Sequence, residues 1–135
     1  MRTVVTQIAL VAFGSSLGGV TRWAVAGWFG RWFGTAFPWG TFFINITGSL
    51  FLGWFTTVMD DRLAFSESSW VRADDLRLLV AVGFTGGYTT FSTFEVESHK
   101  LLRDGNGLAA AAYIGLSVFL GLSAVWLGVK LARMR

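Results

Sequence analysis

Residues 83–94 read GFTGGYTTFSTF, and this stretch decides how the chain is organised. It lies in the charge-free run 78–94, but a glycine pair followed by two β-branched threonines forms a poor helix. Membranes tolerate a broken helix only inside protein or along a wet cavity, because lipid cannot satisfy the freed backbone groups. We therefore predict a membrane segment interrupted near Gly86 and Gly87.

A second interpretation of the same glycines is close helix packing through Gly83 and Gly87. Close packing is also predicted at Gly14, Gly18, Gly48 and Gly53.

Three more charge-free runs cover residues 3–21, 32–59 and 105–129. Each is near or above the ~18–20 apolar residues that a membrane-spanning helix needs. Of the 135 residues, 53% are hydrophobic and 14% are charged, and the mean hydropathy is +0.57. Soluble domains carry roughly 25% charged residues, so this chain has too little polar surface to cover a soluble core. We predict an all-α integral membrane protein, a single domain over 1–135 with four transmembrane helices at approximately 4–28, 38–59, 74–102 and 107–130.

Several function classes are excluded by composition and motif. The net charge of +3 comes from basic residues at the ends of segments, so no nucleic-acid partner is predicted. The chain has no cysteine and therefore no thiolate metal site or cysteine nucleophile. No paired acids, Ser/His/Asp set or phosphate-binding loop is apparent, and His99 is interpreted as solvated. We predict that the protein is not an enzyme.

Polar side chains within the predicted spans are the functional candidates, because they are costly in hydrocarbon. Asn45 either joins helices by hydrogen bonds or directs its N–H donors at an anion, and the residues leave both open. Phe91 and Phe94 share a helix face, either as core or with their positive ring edges towards a small anion. Tyr113 and Ser117 also share a face, and the tyrosine hydroxyl needs a partner if it is buried.

Charged residues mark the ends of the predicted spans. Arg22 either extends its guanidinium to the membrane interface or forms a vestibule that attracts anions. Glu95 and Glu97 end the third span, where they either bind cations or mark the water boundary. Seven Lys and Arg residues on the side of the termini, against three or four on the other, favour termini inside, and so weak a bias allows insertion in both orientations.

The stretch 83–94, followed by Glu97, closely resembles the signature of the Fluc/CrcB fluoride channels. Residues 14–22 and 38–49 are similar to the first and second segments of that family, so the resemblance covers nearly the whole chain. It implies a constitutive passive channel in the bacterial inner membrane that lets cytoplasmic fluoride leave the cell. It also implies an antiparallel, dual-topology homodimer with two pores.

The resemblance assigns roles to individual positions. Phe91 and Phe94 correspond to a phenylalanine box whose ring edges contact fluoride, and Asn45 corresponds to a pore-lining amide. The carbonyls of Gly86 and Thr89, from both subunits, correspond to ligands of a central structural Na⁺ ion at the dimer interface. Further polar positions along the pore are Thr90, Ser92, Thr93, Tyr113 and Ser117.

The resemblance also includes two charged residues, and the chain departs from the family pattern at two positions. Arg22 matches an arginine near the vestibule, and Glu97 matches an acidic residue after the phenylalanine box. Tyr88 stands where an aliphatic residue is commoner. Gly121 lies one turn beyond Ser117, where a family member can carry Ser, so one hydroxyl is missing from the predicted polar track.

Fluoride is small and strongly hydrated, so a pore must replace its water with donors such as ring edges, hydroxyls and amides. The first alternative is a small proton-coupled multidrug exporter, which needs a carboxylate deep in a span. Here Glu95 and Glu97 lie near the end of one. The second alternative is a non-transporting scaffold protein of the membrane, which would conduct no ions.

Overall fold

The computed structural model describes residues 3–63 and 73–134, and this part of the chain forms helices without any strand. Helix α1 spans Val4–Phe33 and α2 spans Trp39–Leu63. The third segment is divided into α3 (Ala73–Leu76), a π-helical stretch (Arg77–Thr85), α4 (Gly86–Tyr88) and α5 (Phe91–Arg103). Helix α6 spans Gly107–Arg133.

Three of these helices, α1, α2 and α6, are long and apolar enough to cross a membrane. Large apolar side chains on their outer surfaces are exposed, including Trp23, Phe119 and Trp126. An apolar exterior is what a lipid environment requires, and the chain is a multi-pass protein of the cell membrane. The third segment contains no single helix of spanning length, so a fourth crossing there remains a prediction.

The third segment is interrupted at Thr89 and Thr90, further along the chain than the predicted position. Their φ/ψ values of −80°/160° and −154°/118° are extended, whereas Gly86 is helical at −63°/−36°. The predicted interruption near the centre of this segment is confirmed, but it falls just beyond Gly86 and Gly87, which are helical. Extended backbone suits β-branched threonine, and the Thr90 hydroxyl also caps α5 by accepting the Thr93 N–H at 3.3 Å.

The glycines near the break allow the third segment to pack backbone-to-backbone on α1. A Cβ added to Gly87 would lie 2.9 Å from the Cα of Ser15, and one added to Gly83 would lie 3.0 Å from the Cα of Gly14. A Cβ at Gly14 or Gly18 would collide with carbonyl oxygens of the third segment. The close-packing interpretation is confirmed for these glycines, as small residues let membrane helices approach closely.

Helices α2 and α6 run parallel and in register. A Cβ on Gly53 would lie 3.0 Å from the Cα of Val125, and one on Gly121 would lie 3.9 Å from the Oγ of Ser49. Moving one turn along α2 from Ser49 to Gly53 corresponds to one turn along α6, from Gly121 to Val125. The same offset places side chains of the two helices opposite each other along their contact.

Candidate functional site

One side chain, that of Asn45 in α2, holds the break of the third segment in place. Its Nδ2 donates to the Thr90 carbonyl at 3.0 Å, and its Oδ1 accepts the Thr90 N–H at 2.9 Å. Thr90 is buried, so these two main-chain groups depend on the amide. Asn45 therefore joins helices, as one of its two interpretations predicted. Its amide carries a second N–H, and donation of that group to an anion remains a prediction.

This pairing releases the carbonyl of Gly86. In an α-helix the N–H of Thr90 would donate to that oxygen, but it donates to Asn45 instead. The carbonyl of Thr89, at the break itself, accepts a hydrogen bond from Nη1 of Arg22 at 3.2 Å. The half-buried Arg22 thus reaches the break rather than only the membrane interface.

The two carbonyls suit a hard cation. Oxygen donors are the ligands such ions prefer, and a carbonyl oxygen has two lone pairs, so Thr89 can accept Arg22 and still bind an ion. The side of Gly86 is open, with no atom within 4 Å of an added Cβ. These residues fit a sodium ion, but its binding by Gly86 and Thr89 remains a prediction.

Beside the break lies a cavity of about 280 Å³, which we call the break cavity. Its lining combines amide, hydroxyl and phenyl groups, and contains no charged residue. It is formed by Asn45, Gly48, Ser49, Leu52, Thr85, Thr89, Thr90, Phe91, Phe94, Ser117 and Val118. Gly48 also packs on the Thr89 side chain, which an added Cβ would strike.

Three predicted residues dominate the chemistry of the break cavity. The Oγ of Ser117 is buried and has no hydrogen-bond partner in the part of the chain that is described. Phe94 is 7% exposed and Phe91 is 73% exposed, and their ring centroids are 5.8 Å apart. Phe94 is therefore both core and cavity wall, whereas Phe91 extends from the surface of the chain.

Other predicted pore residues do not line the break cavity. Ser92 and Thr93 are exposed, and the Thr93 hydroxyl accepts that of Thr90 at 3.0 Å. Tyr113 is fully buried and packs against Phe94, with the ring centroids 5.1 Å apart and the ring planes tilted by 58°. Their pore roles remain predictions.

The hydroxyl of Tyr113 finds its partner in Glu97. It donates to Oε2 at 2.8 Å, while the Thr41 hydroxyl donates to Oε1 at 3.0 Å. Glu97 and Thr41 line a second cavity of about 450 Å³, between α1, α2 and α5. Neither interpretation of Glu97 anticipated this: the carboxylate ties α5 to α2 and α6. The exposed Glu95 and His99 lie outside the arrangement.

Two contacts were not predicted from the sequence: that of Thr41 with Glu97 and that of Tyr88 with Thr47. The Tyr88 hydroxyl lies 3.0 Å from that of Thr47, and its ring stacks on Phe84. Because Thr47 donates to the Phe43 carbonyl at 2.8 Å, Tyr88 is the donor in the pair. The regular spacing of polar residues along α2 was the available signal for Thr41, which lies one turn before Asn45.

The fold and site define a multi-pass helical membrane protein with an interrupted segment beside an uncharged polar cavity. The family described as CrcB-like protein, Camphor Resistance (CrcB), has a sequence model that matches residues 9–129. The chain belongs to this family.

Curated relatives resemble the chain over nearly its full length. The fluoride-specific ion channel FluC 1 of Nitrobacter hamburgensis is 44% identical over 129 residues, which are 96% of this chain and 97% of the relative. The fluoride-specific ion channel FluC of Nitrobacter winogradskyi is 42% identical over the same shares of both chains. The protein of that name from Chloroflexus aurantiacus is 42% identical over 127 residues, 94% of this chain and 95% of the relative.

Proposed function

We propose that this protein is a fluoride-selective, passive ion channel. The observation that carries the proposal is the buried hydroxyl of Ser117, which has no partner among the described residues and lines one cavity together with Asn45 and Phe94. A buried hydroxyl without a partner is costly, and an anion in the cavity would satisfy it. The names of the relatives supply the identity of the anion.

The lining explains how such an ion could pass. Fluoride must lose strongly bound water, and the Ser117 hydroxyl, the second Asn45 N–H and the positive ring edges can replace it. None of the lining residues is charged, so the ion is bound without being trapped by a fixed cation. A potential of about 100 mV is worth ~2.3 kcal/mol per charge, enough to drive an anion from an inside-negative cell about 50-fold.

The functional unit in this proposal is an antiparallel homodimer with two pores. Phe91 is 73% exposed in the protomer, and a second subunit would bring it into a complete pore. The carbonyls of Gly86 and Thr89 would meet their counterparts there and hold a structural Na⁺ ion. Bound Na⁺ would offset the repulsion between the converging carbonyl dipoles of the two breaks.

The deciding experiment is fluoride efflux from liposomes that contain purified protein, compared with chloride efflux. We expect fluoride to leave rapidly when a counter-ion path is provided, and chloride to be retained. No fluoride flux, or equal chloride flux, would overturn the proposal. Dependence of transport on a proton gradient would favour the exporter, and the fluoride-channel names of the relatives do not favour that alternative.

A further inference from the structure

Serine and threonine hydroxyls within α2 and α6 follow a simple rule with three exceptions. A helical hydroxyl commonly donates to the carbonyl four residues earlier, which satisfies it within its own helix. Thr47, Thr56, Thr57 and Ser123 do so, each at 2.8 Å. Thr41 donates to Glu97 instead. In the described parts of these helices, Ser49 and Ser117 alone make no hydrogen bond, and both line the break cavity.

The position of Ser49 in the break cavity follows from its place on α2. It lies one helical turn beyond Asn45 on the same face of α2. Across the contact with α6 it faces Gly121, where an added Cβ would have the Ser49 Oγ, at 3.9 Å, as its nearest neighbour. The absence of a side chain at Gly121 leaves room in front of the serine hydroxyl.

The parallel register of α2 and α6 aligns two rows of residues at one-turn spacing. The α2 row is Thr41, Asn45 and Ser49, and the α6 row is Tyr113, Ser117 and Gly121. At the first two levels both helices supply a polar group. At the third level α6 supplies none, so Ser49 is the only hydroxyl available from this pair of helices.

We propose that Ser49 is a further fluoride-binding residue, which donates its hydroxyl to the ion one turn beyond Asn45. The inference rests on the proposed channel function. The Ser49 hydroxyl, on α2, would then serve the ion in place of a hydroxyl at position 121 on α6. The polar lining thus continues past Ser117 in spite of Gly121.

The test moves the hydroxyl from one helix to the other. Fluoride efflux from liposomes is measured for the unmodified protein, Ser49→Ala, Ser49→Ala with Gly121→Ser, and Ser123→Ala as the matched control. Ser49→Ala should lower the flux about tenfold, the loss expected for one hydrogen bond to a charged group. The double variant should recover most of it, and Ser123→Ala should match the unmodified protein. Dimer content by gel filtration should be unchanged throughout.

The outcomes separate this inference from the proposed function. Unmodified protein that fails to conduct fluoride refutes the channel itself. If the unmodified protein and Ser49→Ala conduct fluoride at the same rate, Ser49 only lines the cavity wall and the inference is wrong. A loss in Ser49→Ala that Gly121→Ser does not repair also overturns it, because the effect would then come from packing at position 49 and not from the hydroxyl.

Discussion

The amide of Asn45 pairs with Thr90 much as a neighbouring strand would, donating to its carbonyl and accepting its N–H. Replacing Asn45 by Leu keeps the bulk but leaves both buried main-chain groups without partners. We expect the free energy of unfolding to fall by about 1–3 kcal/mol and fluoride flux to be lost. Chemical unfolding in detergent, monitored by tryptophan fluorescence, measures the change.

The control for this substitution is Thr56→Val, which removes a hydroxyl that bonds only within α2. It should alter stability by less than ~0.5 kcal/mol, as do most changes away from special features. If Asn45→Leu proves as stable as Thr56→Val, the amide does not hold the break.

Substitutions of Phe91 and Phe94 should affect fluoride flux and stability differently, because the two rings differ in burial. Phe91 is 73% exposed in the protomer and Phe94 is 7% exposed. We expect Phe91→Ile to abolish most of the flux with little loss of protomer stability, because the lost group is a ring edge and not core volume. Phe94→Ile should lower both flux and stability, the latter by about 1–3 kcal/mol. Liposome efflux and unfolding are measured in parallel, and full flux through Phe91→Ile would return that ring to a packing role.

At the scale of elements, α1 and the third segment meet through backbone rather than side chains. Gly18 and Gly19 are neighbours on α1, yet a Cβ would strike the Phe84 carbonyl at Gly18 and meet nothing within 4 Å at Gly19. Gly18→Ala should therefore cost about 1–3 kcal/mol through overpacking. Gly19→Ala should be neutral or stabilising by up to ~1 kcal/mol, because alanine favours a helix. The two variants are compared by thermal unfolding, and equal effects would contradict the packing described.

The sequence was sufficient for the helical class, for the existence of an interruption and for most of the polar residues around it. Hydropathy and charge-free runs are local signals, and they locate α1, α2 and α6. The position of the break was missed because glycine propensity favoured Gly86 and Gly87. In the structure, Gly87 stays helical and its missing side chain lets the backbone pack closely on α1. The extended backbone of Thr90 is stabilised instead by its two hydrogen bonds to Asn45. Such tertiary pairings, like the Glu97 bonds to Thr41 and Tyr113, join residues far apart in the chain. Periodic spacing along one helix shows which residues share a face, but it does not show which residue of another helix they meet.

For the whole molecule, the proposed sodium ion predicts that assembly depends on the cation. If Gly86 and Thr89 carbonyls bind it, replacing Na⁺ by N-methylglucamine should weaken the dimer. The loss is about 2.7 kcal/mol where Na⁺ stands at ~100 times its Kd. Dimer fraction on dilution, followed by chemical crosslinking, reports the change, and restoring Na⁺ should reverse it. A dimer fraction that does not change when Na⁺ is replaced would show that neither carbonyl binds a structural Na⁺ ion.

The pairing of Asn45 with Thr90 also bears on the order in which the protein is made. Synthesis proceeds from the N-terminus, so α2 leaves the ribosome before the interrupted segment does. If the interrupted segment crosses the membrane as predicted, it arrives beside a helix that already carries the amide needed by the main chain of Thr90. In a circular permutant that begins at the third segment, Thr90 would reach the bilayer first, and insertion of the nascent chain would be expected to stall at that point.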